Sequence, residues 1–169
     1  MRKMLKRIQR LKRVGRKKFE DATKEERIQL AMLIDTDGSI NPCEGIYPHI
    51  SVTGRSILPI VMWEKWGGYI GKYREEKGKK IGYEWEVNEQ NMVERFLSAI
   101  RPYLIIKKPQ AGVGLKMIKL LKKKPESYKE KLKSLGEELS RLNHAPPPDI
   151  DLKDRIKLEL LQEYRESAN

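Results

Sequence analysis

Two carboxylates close an apolar helical run in this chain, and their placement is the first pointer to chemistry. Residues 30–38 read Leu-Ala-Met-Leu-Ile-Asp-Thr-Asp-Gly, so Asp35 and Asp37 fall at the end of the run. Leu30, Leu33 and Ile34 share one face at helical spacing. Thr23 and Glu26 form a capping box ahead of them, and Gly38 is expected to close the helix in the left-handed conformation. The carboxylates therefore lie at the negative end of a helix dipole, where an anion is disfavoured by about 0.3–1 kcal/mol. A bound cation would compensate. A polar turn between helix and strand is the plainer reading of an Asp-Gly pair taken alone. The chain has a single cysteine, Cys43, and two histidines, His49 and His144. A metal here is thus expected to be a hard, oxygen-bound ion such as Mg²⁺ rather than caged zinc.

The elements that must position this run follow a regular order. Residues 39–41 begin a strand, 42–45 turn, and 46–53 return. Ile46, Ile50 and Val52 take the core parity, and Tyr47, His49, Ser51 and Thr53 the outer one. Asn41, Tyr47, His49 and Ser51 are the candidates there to meet nucleic acid, His49 and Ser51 by hydrogen bonds to base edges. An ordinary surface position is the plainer reading of a lone histidine. Ser56 is expected to cap a helix over 57–66, with Met62, Trp63 and Trp66 turned inward and Pro59 tolerated in its first turn. A hairpin over 69–87 places Tyr83, Trp85 and Val87 toward the core. Its Lys72, Arg74, Lys77, Lys79 and Lys80 make a basic ribbon of the kind that fits a major groove, with a solvated charged turn as the alternative. Asn88 is expected to cap a helix reaching Ile100, and Pro109 to open another through Leu121. Helices over 128–142 and 152–164 follow, separated by a stiff Pro-rich spacer at 145–149. At the other end, residues 2–14 predict a basic helix with Met4, Leu5, Ile8 and Leu11 as its apolar stripe and Gly15 as its end.

Composition sets the outer limits. A length of 169 residues suits one domain with a sizeable core. No apolar run approaches the roughly 18 residues of a membrane span. The first residues lack the apolar middle of a secretory signal, so an intracellular, soluble protein is expected. The net charge of +12 points to an anionic partner. Ten of the basic residues lie within the first eighteen positions, which hold no acid, leaving 26 basic against 24 acidic residues in the remainder. Residues 1–18 are therefore read as a basic arm that grips phosphates, and 19–169 as a single domain; a solvated charged face is the alternative for the arm. No internal repeat is visible, which fits one protomer fold and not a fused pair.

The nonamer itself resembles the signature of the LAGLIDADG homing endonucleases, matching seven of nine positions and departing at Met32 and Thr36. The resemblance runs over residues 24–169. It implies an α/β (α+β) fold with an αββαββα core, a curved antiparallel DNA-binding sheet and, here, extra C-terminal helices. Members with one motif act as homodimers, so the resemblance implies a helix–helix interface through Leu30, Ala31, Ile34 and Asp35. It makes Asp37 catalytic, holding Mg²⁺ or Mn²⁺ at a scissile phosphate with help from the backbone carbonyl of Thr36. A basic catalytic residue precedes the helix at Pro109; Lys107 is the match by its distance from Pro102 and Gln110, and Lys108 is the alternative. Arg55, also a candidate DNA contact, or Ser56 stands beside Gly54, where the family often carries a polar side chain that orders water. The implied activity is metal-dependent cleavage of both strands of a long, near-palindromic site in double-stranded DNA. It needs no small-molecule cofactor or membrane, and an intron-encoded origin is implied. An intron RNA-binding maturase and a non-cleaving DNA-binding protein on the same fold are the alternatives.

Overall fold

The structure, a computed structural model, describes residues 6–54, 56–74 and 81–146, with the backbone course alone for 6–10, 72–74 and 81. The signature run forms helix α1 (Lys24–Thr36), which starts at the expected capping box. Thr23 Oγ1 accepts from the Glu26 N–H at 3.3 Å, and Glu26 Oε2 accepts from the Thr23 N–H at 2.7 Å. The helix ends on Asp37, whose N–H donates to the Leu33 carbonyl at 2.9 Å. Gly38 does not close the helix in the left-handed region as expected; it opens strand β2 (Gly38–Cys43). Glycine is needed there for space, because a Cβ would lie 2.6 Å from Ile34 Cδ1 and 2.7 Å from Ile34 Cα.

Strand β3 (Tyr47–Gly54) pairs back on β2 through a turn in which Glu44 and Gly45 have φ of 52° and 76°. Two successive left-handed residues give the primed turn that matches the twist of a hairpin. Helix α2 (Leu58–Trp66) follows, with Pro59 in its first turn, and Gly67 at φ 77° ends it and opens β4 (Gly67–Arg74). Strand β5 (Ile81–Val87) returns beside β4. Helices α3 (Gln90–Ile100), α4 (Lys108–Lys123) and α5 (Tyr128–His144) complete the described chain. Asn88 lies just before α3, but Glu89 occupies its capping position.

All neighbouring strands are antiparallel, in the order β1-β4-β5-β3-β2. One side of the sheet is the core. Ile40, Ile50, Val52, Trp85 and Val87 are at most 1% exposed there, in one apolar cluster with Phe96, Leu97, Ile100, Met117 and Ile118 from the helices. The Trp85 indole N–H, buried with the ring, donates to the Gly67 carbonyl at 2.7 Å. The two strand parities expected for β3 and β5 are thus observed within these strands, although Ile46 falls in the turn before β3, and Ser51 and Glu86 on the outer parity are only 7% and 6% exposed.

The first strand corrects the expectation of a helix over 2–14. Residues Lys6–Val14 form β1, paired with β4 from Lys6↔Arg74 to Val14↔Gly67, with a register shift between Arg7 and Gln9. The apolar residues at 4, 5, 8 and 11 are too few to bury a helical face among the seven cations of 2–14. The edge of β4 offers instead a row of backbone groups that must find partners. Gly15 does not stop a helix but lets the chain pass the α2–β4 junction, where a Cβ would lie 2.2 Å from the Trp66 carbonyl carbon. Lys17 Nζ then pairs with Glu26 Oε2 at 2.6 Å, and Lys65 Nζ with Glu26 Oε1 at 2.7 Å, tying β1's exit to α1 and α2. At the opposite edge, α5 covers β2: Asn143 Nδ2 donates to the Ile40 carbonyl at 2.8 Å. The helix expected over 152–164 and residues 147–149 of the spacer lie outside the described residues.

Candidate active site and nucleic-acid face

The end of α1 is built by two residues that act on each other across more than seventy positions. Asp35 is 5% exposed, and its carboxylate accepts the backbone N–H groups of Ile105 on Oδ2 and Lys107 on Oδ1, each at 2.7 Å. This fixes the segment entering α4 against α1. Lys107 occupies the N-cap position of α4, and its Nζ donates to the carbonyls of Ile34 at 2.6 Å and Asp35 at 2.8 Å. A cation on the last carbonyls of a helix offsets the negative end of its dipole. Burial pushes the Lys107 ammonium below the ordinary lysine range, while the charges of Asp35 and Asp37 act to raise it. Asp37 is exposed one step beyond, close enough for its charge to act on Lys107. Lys108, the alternative to Lys107, is exposed in the first turn of α4.

Among the described residues no group of three or more His, Cys, Asp or Glu converges to hold a metal. The donors at the end of α1 are one exposed carboxylate, Asp37, and the neighbouring carbonyl of Thr36. That set fits a hard cation of the Mg²⁺ type, which keeps several waters and takes one or two carboxylates together with phosphate oxygens. It would not make a closed site by itself.

The residues expected at a helix–helix interface are placed elsewhere. Leu30, Ala31, Ile34 and Asp35 are 4%, 0%, 0% and 5% exposed within the single chain. Within the single chain these side chains leave almost no surface to a partner. Leu30, Ala31 and Ile34 belong to the chain's own core, and Asp35 to the clamp. The face that α1 presents to the outside carries Gln29, Thr36 and the half-buried Met32, and the two departures from the signature fall on it.

The sheet side away from the core holds the remaining candidates in registered rows. One row reads Lys12, Tyr69, Glu86, Ser51, Ser39, and the next Arg10, Gly71, Glu84, Thr53. Asn41 stands opposite His49. A polar chain links three of these residues to α5: Asn143 Nδ2 donates to Asn41 Oδ1 at 2.9 Å, Asn41 Nδ2 to Ser39 Oγ at 2.7 Å, and Ser39 and Ser51 share a 2.8 Å hydroxyl contact. Tyr47 is 37% exposed at the start of β3. Lys72 and Arg74 stand opposite Tyr83 and Ile81, on the rows that continue Ile70 and Trp85 of the core side. Arg55, Lys77, Lys79 and Lys80 lie outside the described residues. Sequence reasoning missed Asn143, and it missed the clamp by Asp35, whose partners are backbone groups without any side-chain signal.

No protein-family model matches the sequence, and comparison with curated proteins gives no match. Comparison of folds does. A crystal structure of the homing endonuclease I-CvuI with the I-CreI target in 2 mM Mg, its DNA not cleaved, superposes with a TM-score of 0.55 at 19% identity. The alignment covers 73% of this chain and 85% of that one. A second I-CvuI structure, with its own target in 2 mM Ca, gives a TM-score of 0.56 at 20% identity over 72% of this chain and 84% of that one. The fold is that of the LAGLIDADG homing endonucleases, a mixed helix and antiparallel-sheet architecture, as the nonamer implied.

Proposed function

We propose that the chain is a site-specific DNA endonuclease that works as a homodimer and cuts both strands of a long pseudo-palindromic site with a divalent cation, Mg²⁺ or Mn²⁺. The observation that carries this reading is the Lys107 ammonium seated on the last carbonyls of α1, within electrostatic reach of Asp37, in a fold shared with DNA-cutting enzymes. Asp37 and the carbonyl of Thr36 would hold the cation. When bound, such an ion supplies an activated water and charge stabilisation at phosphate oxygens. Lys107 contributes a fixed positive charge beside Asp37, already desolvated and therefore strong against charge that develops on the phosphate. Asp35 keeps Lys107 in place through its backbone N–H.

One chain carries one Asp37, and a double-strand cut needs two such centres. A second copy meeting the outer face of α1 through Gln29, Met32 and Thr36 would supply it, with the two Asp37 carboxylates side by side near the two-fold axis. Met32 sets the spacing, since a thioether side chain holds two helices further apart than glycine does.

Asp37→Asn keeps the shape and a neutral oxygen but removes the charge that holds the cation. In a gel-shift titration beside a timed Mg²⁺ cleavage assay on the uninterrupted target, the variant should bind like wild type. It should cut about 10³-fold more slowly, the equivalent of about 4 kcal/mol of lost transition-state stabilisation. Normal cutting by Asp37→Asn would return the end of α1 to a polar turn.

A further inference from the structure

The outward rows of the four strands β2 to β5 contain no lysine or arginine among the described residues. They read Ser39, Asn41 and Cys43 on β2; Tyr47, His49, Ser51 and Thr53 on β3; Tyr69, Gly71 and Tyr73 on β4; and Gly82, Glu84 and Glu86 on β5. Among the described residues the charged side chains in these rows are two carboxylates, Glu84 and the largely buried Glu86, both on β5 in the middle of the sheet. A surface of that kind disfavours a polyanion, because phosphate contacts supply most of the sequence-independent affinity for DNA. Strand β1 changes the sign. Its Arg7, Arg10 and Lys12 stand opposite Tyr73, Gly71 and Tyr69, in the outward rows, and the register shift between Arg7 and Gln9 keeps Arg7 in that series. Its other parity is used differently: the Arg13 guanidinium lies 5.4 Å from the Trp63 ring centre on α2, on the helix side.

Position matters as much as charge. Strand β2 leads directly from Asp37, and β1 lies at the opposite edge of the sheet. Four strand spacings separate them, about 19 Å at roughly 4.8 Å each. Lys12 is 55% exposed at this edge, lies over the Tyr69 ring with Nζ 5.6 Å from its centre, and is paired with Glu89. The ring and the carboxylate pre-order its ammonium at the rim.

We infer that β1 is a fifth, DNA-gripping strand, whose Arg7, Arg10 and Lys12 bind backbone phosphates on the flank of the half-site furthest from the cut and supply positive charge that the described outward rows of β2 to β5 lack. The inference rests on the DNA reading proposed above and names the element that provides its affinity. It also changes what the N-terminal segment is: a strand of the sheet that completes β4, not an appended arm.

The test is the salt dependence of binding to a fluorescent duplex of arbitrary sequence, since phosphate contacts carry no sequence information. The triple variant Arg7→Gln, Arg10→Gln, Lys12→Gln is compared with a control triple, Lys116→Gln, Lys119→Gln, Lys133→Gln. The control removes the same charge from exposed positions on α4 and α5. Three lost phosphate contacts at about 0.9 each should flatten the slope of log K against log salt by about 2.7, so wild type should lose about 40-fold more affinity than the strand triple between 50 and 200 mM salt. The control triple should shift the slope by less than a third of that. Equal flattening by both triples would mean that net charge alone matters, and no flattening by the strand triple would remove β1 from the DNA surface; either overturns the inference. Absence of duplex binding by wild type would instead bring down the DNA reading itself. Circular dichroism and thermal midpoints establish that the variants fold. Should the triple unfold, Lys12→Gln alone, on an exposed side chain, is expected to flatten the slope by about 0.9.

Discussion

Replacing Asp35 with alanine removes one carboxylate and strands two backbone donors, Ile105 N–H and Lys107 N–H, each held at 2.7 Å. Hydrogen bonds to a charged group contribute about 1.5–3 kcal/mol net, so the two together set an upper figure of about 6 kcal/mol. Two effects reduce it: removal of a carboxylate that is only 5% exposed relieves its own desolvation, and water can reach the half-buried segment at 105–107. The expected loss is about 3 kcal/mol. At roughly 2–4 °C per kcal/mol for a chain of this size, that corresponds to a fall in Tm of about 6–12 °C. Asp35→Asn should lose about half as much, because its amide oxygen still accepts one of the two N–H groups while its NH₂ faces the other. Urea unfolding at fixed protein concentration reads the midpoint, with an unchanged slope showing that the unfolded state is the same. Hydrogen exchange should show lost protection at the amides of 105 and 107 specifically. Stability of Asp35→Ala within about 0.5 kcal/mol of wild type, the range of an ordinary surface change, would refute the clamp.

Three further expectations follow from single features. Glu26 is held down to about 2 by its hydrogen bond from Lys17 first, then by those from Lys65 and the Thr23 N–H. Its folded value lies below the ordinary 4.5, so its stabilisation is complete above about pH 4.5 and drains away as pH falls toward 2. Urea midpoints of Glu26→Gln should lack that part of the acid decline, and identical pH profiles would contradict it. Gly38→Ala should destabilise by about 1–3 kcal/mol in the same unfolding assay, because the added methyl meets Ile34 in a packed core; a neutral result would mean β2 shifts freely. Met32→Glu, which sets two like charges against each other across the proposed two-fold axis, should sediment as a folded monomer, and a dimer of unchanged Kd would exclude the outer face of α1 as the contact.

What was legible in the sequence was what is local. The capping box at Thr23 and Glu26, the proline and glycines that bound α2, and the parities of β3 and β5 depend on residues within a few positions of each other, and all are found as expected. The features that escaped depend on distant parts of the chain. The apolar residues of 2–14 fit a helix on their own, and only the unpaired edge of β4, some sixty residues on, makes a strand the better solution. Ala31 looked like a small residue suited to helix packing, which it is; its partners are the chain's own core. Asp35 and Asp37 are the same residue type two positions apart, and nothing local distinguishes the buried clamp from the exposed candidate ligand. Helical rotation separates them: position 35 turns toward the segment before α4, and position 37 leaves the helix.

That separation also accounts for the electrostatics at the end of α1. The helix dipole brings about half a negative charge there, and Asp35 and Asp37 add two more. The Asp35 charge is met by two backbone donors, and the single ammonium of Lys107 sits on the helix carbonyls. The dipole and the Asp35 carboxylate are therefore answered from within the chain, and the charge of the exposed Asp37 acts on the neighbouring Lys107. A phosphate brought close to the Asp37 carboxylate is repelled by its charge. On the proposed reading, a divalent cation between Asp37 and the phosphate reverses that repulsion at the point of cutting. The cations of β1 act at the far edge of the sheet, about 19 Å away, beyond a Debye length of roughly 8–10 Å at ordinary ionic strength. Binding and chemistry then draw on separate charges. Salt should weaken the grip of β1 on DNA while leaving the clamp and Lys107, held by short and partly buried bonds, largely in place.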